Sequence, residues 1–267
     1  MCTFLEKTKE KAIRVVAERL GAVEFARMRL GFEPDEQQME VLKSEAKQLI
    51  LACSRQWGKS TTAAVKAVHL AYTEQRSLVL VASPSERQSA EFLRKAEIFV
   101  RRLGIRPKGD GDNPLSIEFP NGSRIVGLPG MEATVRGFSA VSMLIIDEAA
   151  RVPDVVYKAL RPVLALTSGS TWLMSTPCGK RGFFYEKWAY GGAGWQRWAV
   201  PATECSRLPA DLLDREREEL GAAWIAQEYM CEFVENGSGV FNRDVVEEAI
   251  TDDLEPLFLA KTPRVRS

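Results

Sequence analysis

The sequence predicts an α/β fold, a mostly parallel sheet covered by helices on both faces, with an N-terminal helical extension. Three observations carry that expectation. Gln48 to Cys53, Leu78 to Ala82, Val141 to Ile146 and Thr171 to Ser175 are short apolar runs without polar alternation, the pattern of strands buried on both faces. Helix-patterned stretches separate them, as parallel crossovers require. Three of these runs also end in polar clusters, Ser54-Arg55-Gln56, Asp147-Glu148 and Ser175-Thr176. In an open parallel sheet the carboxyl ends of the strands are where ligands bind.

Taken in order, Phe4 to Leu30 reads as one or two amphipathic helices, broken around Gly21 and ended by Gly31. Pro34-Asp35-Glu36 starts a short helix that ends near Ser44. The first strand follows at Gln48, then a loop and a helix from about Ser60 to Thr73. After the second strand, Ser85 caps a helix running to about Leu103. Leu115 to Phe119 and Arg124 to Leu128 flank Asn121-Gly122, a strong hairpin signal. The third strand ends in Asp147-Glu148 and a helix begins at Val155. The fourth stops at Thr176-Pro177. Phe183 to Trp188 is helical, Gln196 to Val200 a strand, and Asp211 to Tyr229 one or two helices. Beyond about Glu235 the pattern loosens into a linker and tail.

Composition excludes several classes of function. Lysine plus arginine and aspartate plus glutamate each number 36, so the chain lacks the basic excess of a tight static nucleic-acid binder, although transient contact stays open. His69 is the only histidine; a mechanism with two imidazoles is excluded, and this one reads as packing within a helix. Cys2, Cys53, Cys178, Cys205 and Cys231 are scattered and odd in number, which indicates neither a disulfide framework nor a zinc site and fits a reducing cytoplasm. No apolar run approaches the roughly 20 residues of a membrane span.

The chemistry concentrates at the strand ends. Cys53-Ser54-Arg55-Gln56-Trp57-Gly58-Lys59-Ser60-Thr61 follows a buried strand and opens a helix, the context in which backbone N–H groups and a helix N-terminus face phosphates. In that reading Lys59 neutralises the β- and γ-phosphates, Ser60 binds Mg²⁺ and Arg55 contacts phosphate. Cys53 stands where the usual phosphate-loop pattern has its first glycine. Asp147 is placed to hold Mg²⁺ and Glu148 to activate a water for hydrolysis, although carboxylates at a strand end also cap helices. Arg136, in Glu132-Ala133-Thr134-Val135-Arg136-Gly137-Phe138, is a candidate arginine finger or a solvated loop arginine. Ser175-Thr176-Pro177 is a γ-phosphate sensor or a simple turn. Lys180-Arg181 faces DNA or solvent, and Asp252, Asp253 and Glu255 read as charges in a polar tail. The six tryptophans, Trp57, Trp172, Trp188, Trp195, Trp198 and Trp224, read as mostly core.

Four segments in order, Cys53 to Ser60, Arg136-Gly137-Phe138-Ser139, Leu144 to Ala150 and Ser175 to Tyr185, resemble the ATPase domain of the large terminase subunit, the motor of tailed-phage DNA packaging. The likeness covers about Phe32 to Val240, and a loop with arginine and glutamine but no first glycine is common in that family. The resemblance implies a P-loop NTPase of the additional-strand, catalytic-glutamate type. It implies ATP and Mg²⁺ as cofactors, with Gln38, Ser54, Arg55, Gln56, Trp57, Gly58, Lys59, Ser60 and Thr61 at the nucleotide, Gln38 reading adenine. Ser60 and Asp147 then hold the metal, and Glu148, Lys59 and Arg136 carry catalysis, Arg136 acting in trans. Ser175, Thr176 and Pro177 couple hydrolysis to movement. Gln37 stands where the family commonly has an aromatic residue.

The implied organisation is a helical extension over 1–31, the ATPase domain over 32–235 and a linker with tail over 236–267. The resemblance further implies double-stranded DNA, a portal protein and the small terminase subunit as partners, a homo-oligomeric ring when active, no membrane, and the host cytoplasm. Family members usually continue into a nuclease domain. No later strand here carries an aspartate cluster, so no nuclease activity is expected. A helicase-like ATPase of the same fold class and a nucleotide-binding assembly module without motor activity are the competing readings.

Overall fold

The computed structural model describes residues 20–109, 111, 114–129, 137–205, 208–209 and 212–235. The expected helix before Leu20, Cys2, Arg136, the tail carboxylates Asp252, Asp253 and Glu255, and the start of the last helical segment at Asp211 lie outside them. The chain divides into two units, Met1–Val234 and Glu235–Ser267, and the sheet with its helices belongs to the first.

The elements fall where the patterning places them. Helix α1 spans Ala22–Leu30 and stops at Gly31, whose φ of 56° puts it in the left-handed region that glycine enters without a Cβ penalty. Helix α2, Glu36–Lys43, begins with a full capping box: the Asp35 carboxylate accepts from the Gln38 amide N–H, and the Gln38 side chain accepts from the Asp35 N–H. Strand β1 (Gln48–Cys53) leads into α3 (Lys59–Thr73), and β2 (Leu78–Ser83) into α4 (Glu86–Arg102), whose first turn is capped by Ser85. Strands β3 (Ser116–Glu118) and β4 (Arg124–Pro129) form the expected hairpin. Asn121 fixes it to the end of α3 by donating to the Ala71 carbonyl at 2.9 Å. Strand β5 (Met143–Asp147), α5 (Asp154–Leu160), β6 (Ser170–Ser175), α6 (Gly182–Tyr190) and β7 (Gln196–Val200) follow. The last helical segment is two helices, α7 (Leu212–Leu220) and α8 (Ala222–Glu228), divided at Gly221.

The seven strands lie in the order β3-β4-β2-β5-β6-β1-β7, and every neighbouring pair except β3–β4 is parallel. Their side chains divide by period two. Leu49, Leu51, Val79, Val81, Met143, Ile145, Trp172 and Met174 face one buried cluster with α1, α3 and α4. Ile50, Ala52, Leu78, Leu80, Leu144, Ile146 and Leu173 face another with α5 and α6. Because both faces are covered, β1, β2, β5 and β6 carry no polar alternation. Among the described residues no helix is long and apolar enough to cross a membrane.

Two expectations are refined. The third strand begins at Met143 rather than Val141, whose N–H bonds to the Val163 carbonyl instead of joining the ladder. Of the six tryptophans, Trp57, Trp172 and Trp195 are buried, whereas Trp224 is 41% exposed and stands under the Arg55 guanidinium.

Candidate active site

Strand β6 pairs with β1 on one side and β5 on the other, all parallel, so the ends of the three strands emerge side by side. The loop after β1 therefore meets Asp147 and Glu148 across the Ser175-Thr176 terminus.

The loop's path explains why no glycine is needed at its start. Cys53 is still strand, paired with Val200, a conformation open to any residue. The Ser54 N–H continues that contact by donating to the Val200 carbonyl at 2.9 Å. The left-handed positions fall later, at Gln56 (φ 62°) and Gly58 (φ 98°). Ser54 and Trp57 are fully buried, while Arg55 and Gln56 are exposed. Gln38 closes the loop from outside, its amide donating to the Trp57 carbonyl at 3.1 Å while its oxygen completes the α2 capping box. Both ends of the Gln38 amide are thus engaged. The first bond of α3 runs from the Thr62 N–H to the Gly58 carbonyl, 2.9 Å. The N–H groups of Lys59, Ser60 and half-buried Thr61 therefore stand outside the helix's own ladder, a cluster of donors at a positive helix end.

Around that helix end the charged groups converge. Lys59 Nζ is 3.1 Å from Glu148 Oε1. The Ser60 side chain lies beside the Asp147 carboxylate and favours its charged form. Asp147 is only 6% exposed; burial pushes its carboxyl up and the Glu148 charge adds to this, with Lys59 and Ser60 pulling the other way. Glu148 holds a left-handed backbone, φ 52° and ψ 42°, an uncommon conformation for a residue with a side chain. Its N–H donates to Asp147 Oδ1 at 3.0 Å, and its Oε2 accepts from the Ser175 hydroxyl at 3.4 Å. Thr176 and Pro177 are buried at the end of β6.

Two residues with no motif in the sequence complete the cluster. Arg151 closes the turn after β5, its N–H bonding to the Glu148 carbonyl at 2.9 Å. Its guanidinium donates to Glu148 Oε2 (3.1 Å), Thr176 Oγ1 (3.0 Å) and Glu228 Oε1 (3.0 Å). Glu228, on α8 and 1% exposed, gives its other oxygen to Arg55 Nε at 2.6 Å. Burial alone would push the Glu228 carboxyl up, but the hydrogen bond and charge of Arg55, and then the charge of Arg151, hold it below the ordinary value. A glutamate inside the apolar stretch Ala222-Ala223-Trp224-Ile225-Ala226-Gln227-Glu228-Tyr229 is the one sequence signal that asks for a partner. That partner is distant along the chain.

Every expected site residue within the described set thus gathers at one sheet edge, Gln38 as the brace behind the loop. Arg136 lies outside the described residues, directly before Gly137. Lys180 and Arg181 precede α6, Arg181 being exposed.

Residues 50–247 match the family model described as "Terminase large subunit, T4likevirus-type, N-terminal". The terminase large subunits of Thermus phage G20c and Thermus virus P23-45 are each 26% identical over 249 residues, covering 80% of this chain and 51% of their own length. The chain spans about half the length of these curated relatives. Among solved structures, the large terminase ATPase domain of Thermus phage P74-26 superposes with a TM-score of 0.67 at 22% identity, covering 81% of this chain and 100% of that one. The large terminase of bacteriophage D6E in complex with ADP gives a TM-score of 0.63 at 15% identity, with 74% and 53% covered. At these identities the structural likeness speaks for the fold.

Proposed function

The chain belongs to the terminase large subunit family, matching its N-terminal model, and from that premise we propose that its sheet-edge site binds ATP with Mg²⁺ and hydrolyses it to drive double-stranded DNA translocation into a capsid. The observation that carries the reading is the convergence of Lys59, Ser60, Asp147 and Glu148 at the N-terminus of α3. An ammonium, a hydroxyl and two carboxylates at a helix end bearing spare N–H donors form the set that phosphoryl transfer to water requires.

Ser60 and Asp147 would hold the metal. A buried carboxylate pushed up by its surroundings and lying beside a hydroxyl suits a hard divalent cation, which takes oxygen ligands. When bound, Mg²⁺ would neutralise charge on the phosphate oxygens. Lys59 exchanges Glu148 for those oxygens, and the loop N–H groups align the chain of phosphates. Glu148, relieved of Lys59, orients a water and takes its proton as the water oxygen attacks the γ-phosphorus. The bond to the bridging oxygen breaks, and the electron pair leaves with ADP. Arg136, by resemblance, adds positive charge from a neighbouring copy in a ring. Ser175 and Thr176, next to Glu148, report the change to β6. Double-stranded DNA, a portal protein, the small terminase subunit and a host-cytoplasmic setting belong to the same proposal.

ATP turnover by the purified chain, measured against protein concentration with and without double-stranded DNA, tests this reading. Specific activity rising with concentration is expected, with Arg136→Ala lowering turnover about 10³-fold or more. Nucleotide binding without turnover at any concentration, DNA present, would favour a nucleotide-binding assembly module instead.

A further inference from the structure

Three cations and two carboxylates are shared out around this site in a way that leaves one residue to be reassigned when phosphate arrives. Glu148 Oε1 pairs with Lys59 at 3.1 Å and Oε2 with Arg151 at 3.1 Å. Glu228 Oε2 pairs with Arg55 at 2.6 Å and Oε1 with Arg151 at 3.0 Å. Arg151 thus stands between the two acids, one guanidinium nitrogen on each. A triphosphate at the loop draws Lys59 and Arg55, the two cations carried by the loop and its helix, towards its own charge. Arg151 is then the remaining cation on both carboxylates, beside the hydrogen bonds from Ser175 to Glu148 and from Gln227 to Glu228.

The two acids do not compete equally. Glu228 is 1% exposed and Glu148 23%, so leaving Glu228 unpaired removes a charge from its partners with almost no water to replace them. Glu148 has water at hand. A guanidinium fork also matches both oxygens of one carboxylate, and Arg55 vacates the second oxygen of Glu228. Each consideration moves Arg151 the same way.

We propose that Arg151 is a positioning residue that blocks Glu148 in the nucleotide-free state and is handed over to Glu228 when ATP takes Lys59 and Arg55, freeing Glu148 to activate water. The inference rests on the ATPase reading above. It makes α8 part of the timing of hydrolysis, because Glu228 is the acceptor that must be in place before the base is released. Thr176, on the same Arg151 nitrogen as Glu148, is released with it, so the end of β6 changes partners at that moment.

The test is a double-mutant cycle on ATP turnover, with KM and kcat separated. Glu228→Gln removes the acceptor and should lower kcat about tenfold or more, with KM changed far less. Arg151→Gln in the Glu228→Gln background removes the group that blocks the base and should restore much of the lost kcat. A merely structural Glu228 predicts the opposite, since a second substitution in the same cluster would deepen the loss. Turnover unaffected by Glu228→Gln, or a double variant slower than the single one, overturns the inference. Should Glu228→Gln fail to fold, a structure of the wild-type chain with a non-hydrolysable ATP analogue decides it. Arg151 on both oxygens of Glu228 and out of reach of Glu148 is expected; an intact Arg151–Glu148 pair with Lys59 and Arg55 on phosphate overturns it. A wild-type chain that neither binds nor hydrolyses ATP removes the ATPase reading and this inference together, whereas normal wild-type turnover with no rescue removes this inference alone.

Discussion

Lys59 Nζ lies 3.1 Å from Glu148 Oε1, so the lysine proposed to meet phosphate clasps the carboxylate proposed to activate water. The pair joins the first residue of α3 to the first residue after β5 across the end of β6. The two partners are mostly buried, with side-chain exposures of 11% and 23%. An ion pair so placed is costly to leave half-made, and phosphate is the natural replacement partner for the lysine.

Glu148→Gln should therefore separate binding from turnover. The amide keeps the shape and a hydrogen-bonding oxygen but cannot take a proton from water at neutral pH. Turnover is expected to fall about 10³-fold while ATP affinity is retained or improved, because Lys59 is no longer held by a carboxylate. Steady-state ATPase rates beside equilibrium binding of a fluorescent ATP analogue check this. Equal losses in both would mean that Glu148 serves mainly to hold Lys59.

Gln38 offers a second division. Its amide bridges the Asp35 N–H and the Trp57 carbonyl, so in this state it braces the loop rather than facing a base. Gln38→Ala is expected to weaken ATP and GTP to the same extent, and to cost about 1 kcal/mol of stability through the broken capping box. Competitive binding of the two nucleotides and urea unfolding measure these effects. A loss confined to ATP would return Gln38 to the adenine-reading role that the family resemblance implies.

The elements and the site edge were legible for one reason: each rests on a local pattern. Buried strands, the Asp35 and Ser85 caps, and Asn121-Gly122 announce themselves within a few residues. Because β1, β5 and β6 are neighbours and parallel, their polar ends had to meet. What was not legible depends on chain-distant pairing. Arg151 is an unremarked basic residue until Thr176 and Glu228 arrive beside it. Gln38 carries an adenine-reading role by family resemblance alone, and its bond to the Trp57 carbonyl, a backbone atom, leaves no trace in the sequence.

His69 gives a stability signal that a single residue controls. It packs edge-on against Phe25 with ring centroids 5.1 Å apart, and its Nε2 lies 3.0 Å from the Leu20 carbonyl. Burial lowers its affinity for a proton, outweighing the opposing pull of the Leu20 carbonyl, and the charge of Lys66 lowers it further. The folded value therefore lies below the unfolded one of about 6.5. As pH falls through 6.5 the unfolded chain takes up a proton that the folded chain refuses, so the stability present above 6.5 is lost towards the lower folded value. Between pH 7.5 and 5.5 the melting temperature of the wild-type chain should drop more than that of His69→Gln. Parallel pH profiles for the two would show that another group dominates.

Gly169 lies at the sheet end opposite the proposed nucleotide site, immediately before β6. A Cβ built there would sit 2.4 Å from the Val141 carbonyl oxygen, 2.7 Å from that of Ser142 and 2.9 Å from Leu164 Cδ2. The two oxygens are backbone, that of Val141 accepting from the Thr167 hydroxyl and that of Ser142 from the Ser170 N–H. They cannot turn aside as a flexible side chain would. Gly169→Ala should therefore lower stability by about 1–3 kcal/mol, the range for overpacking a well-filled site. The cost comes from lost space and not from a disallowed backbone angle, since Gly169 does not have a positive φ. Urea unfolding at fixed temperature measures the loss, and below the transition the ATP affinity of the variant should match wild type. A stable variant with weakened nucleotide binding would instead mean that this end of β5 and β6 communicates with the loop.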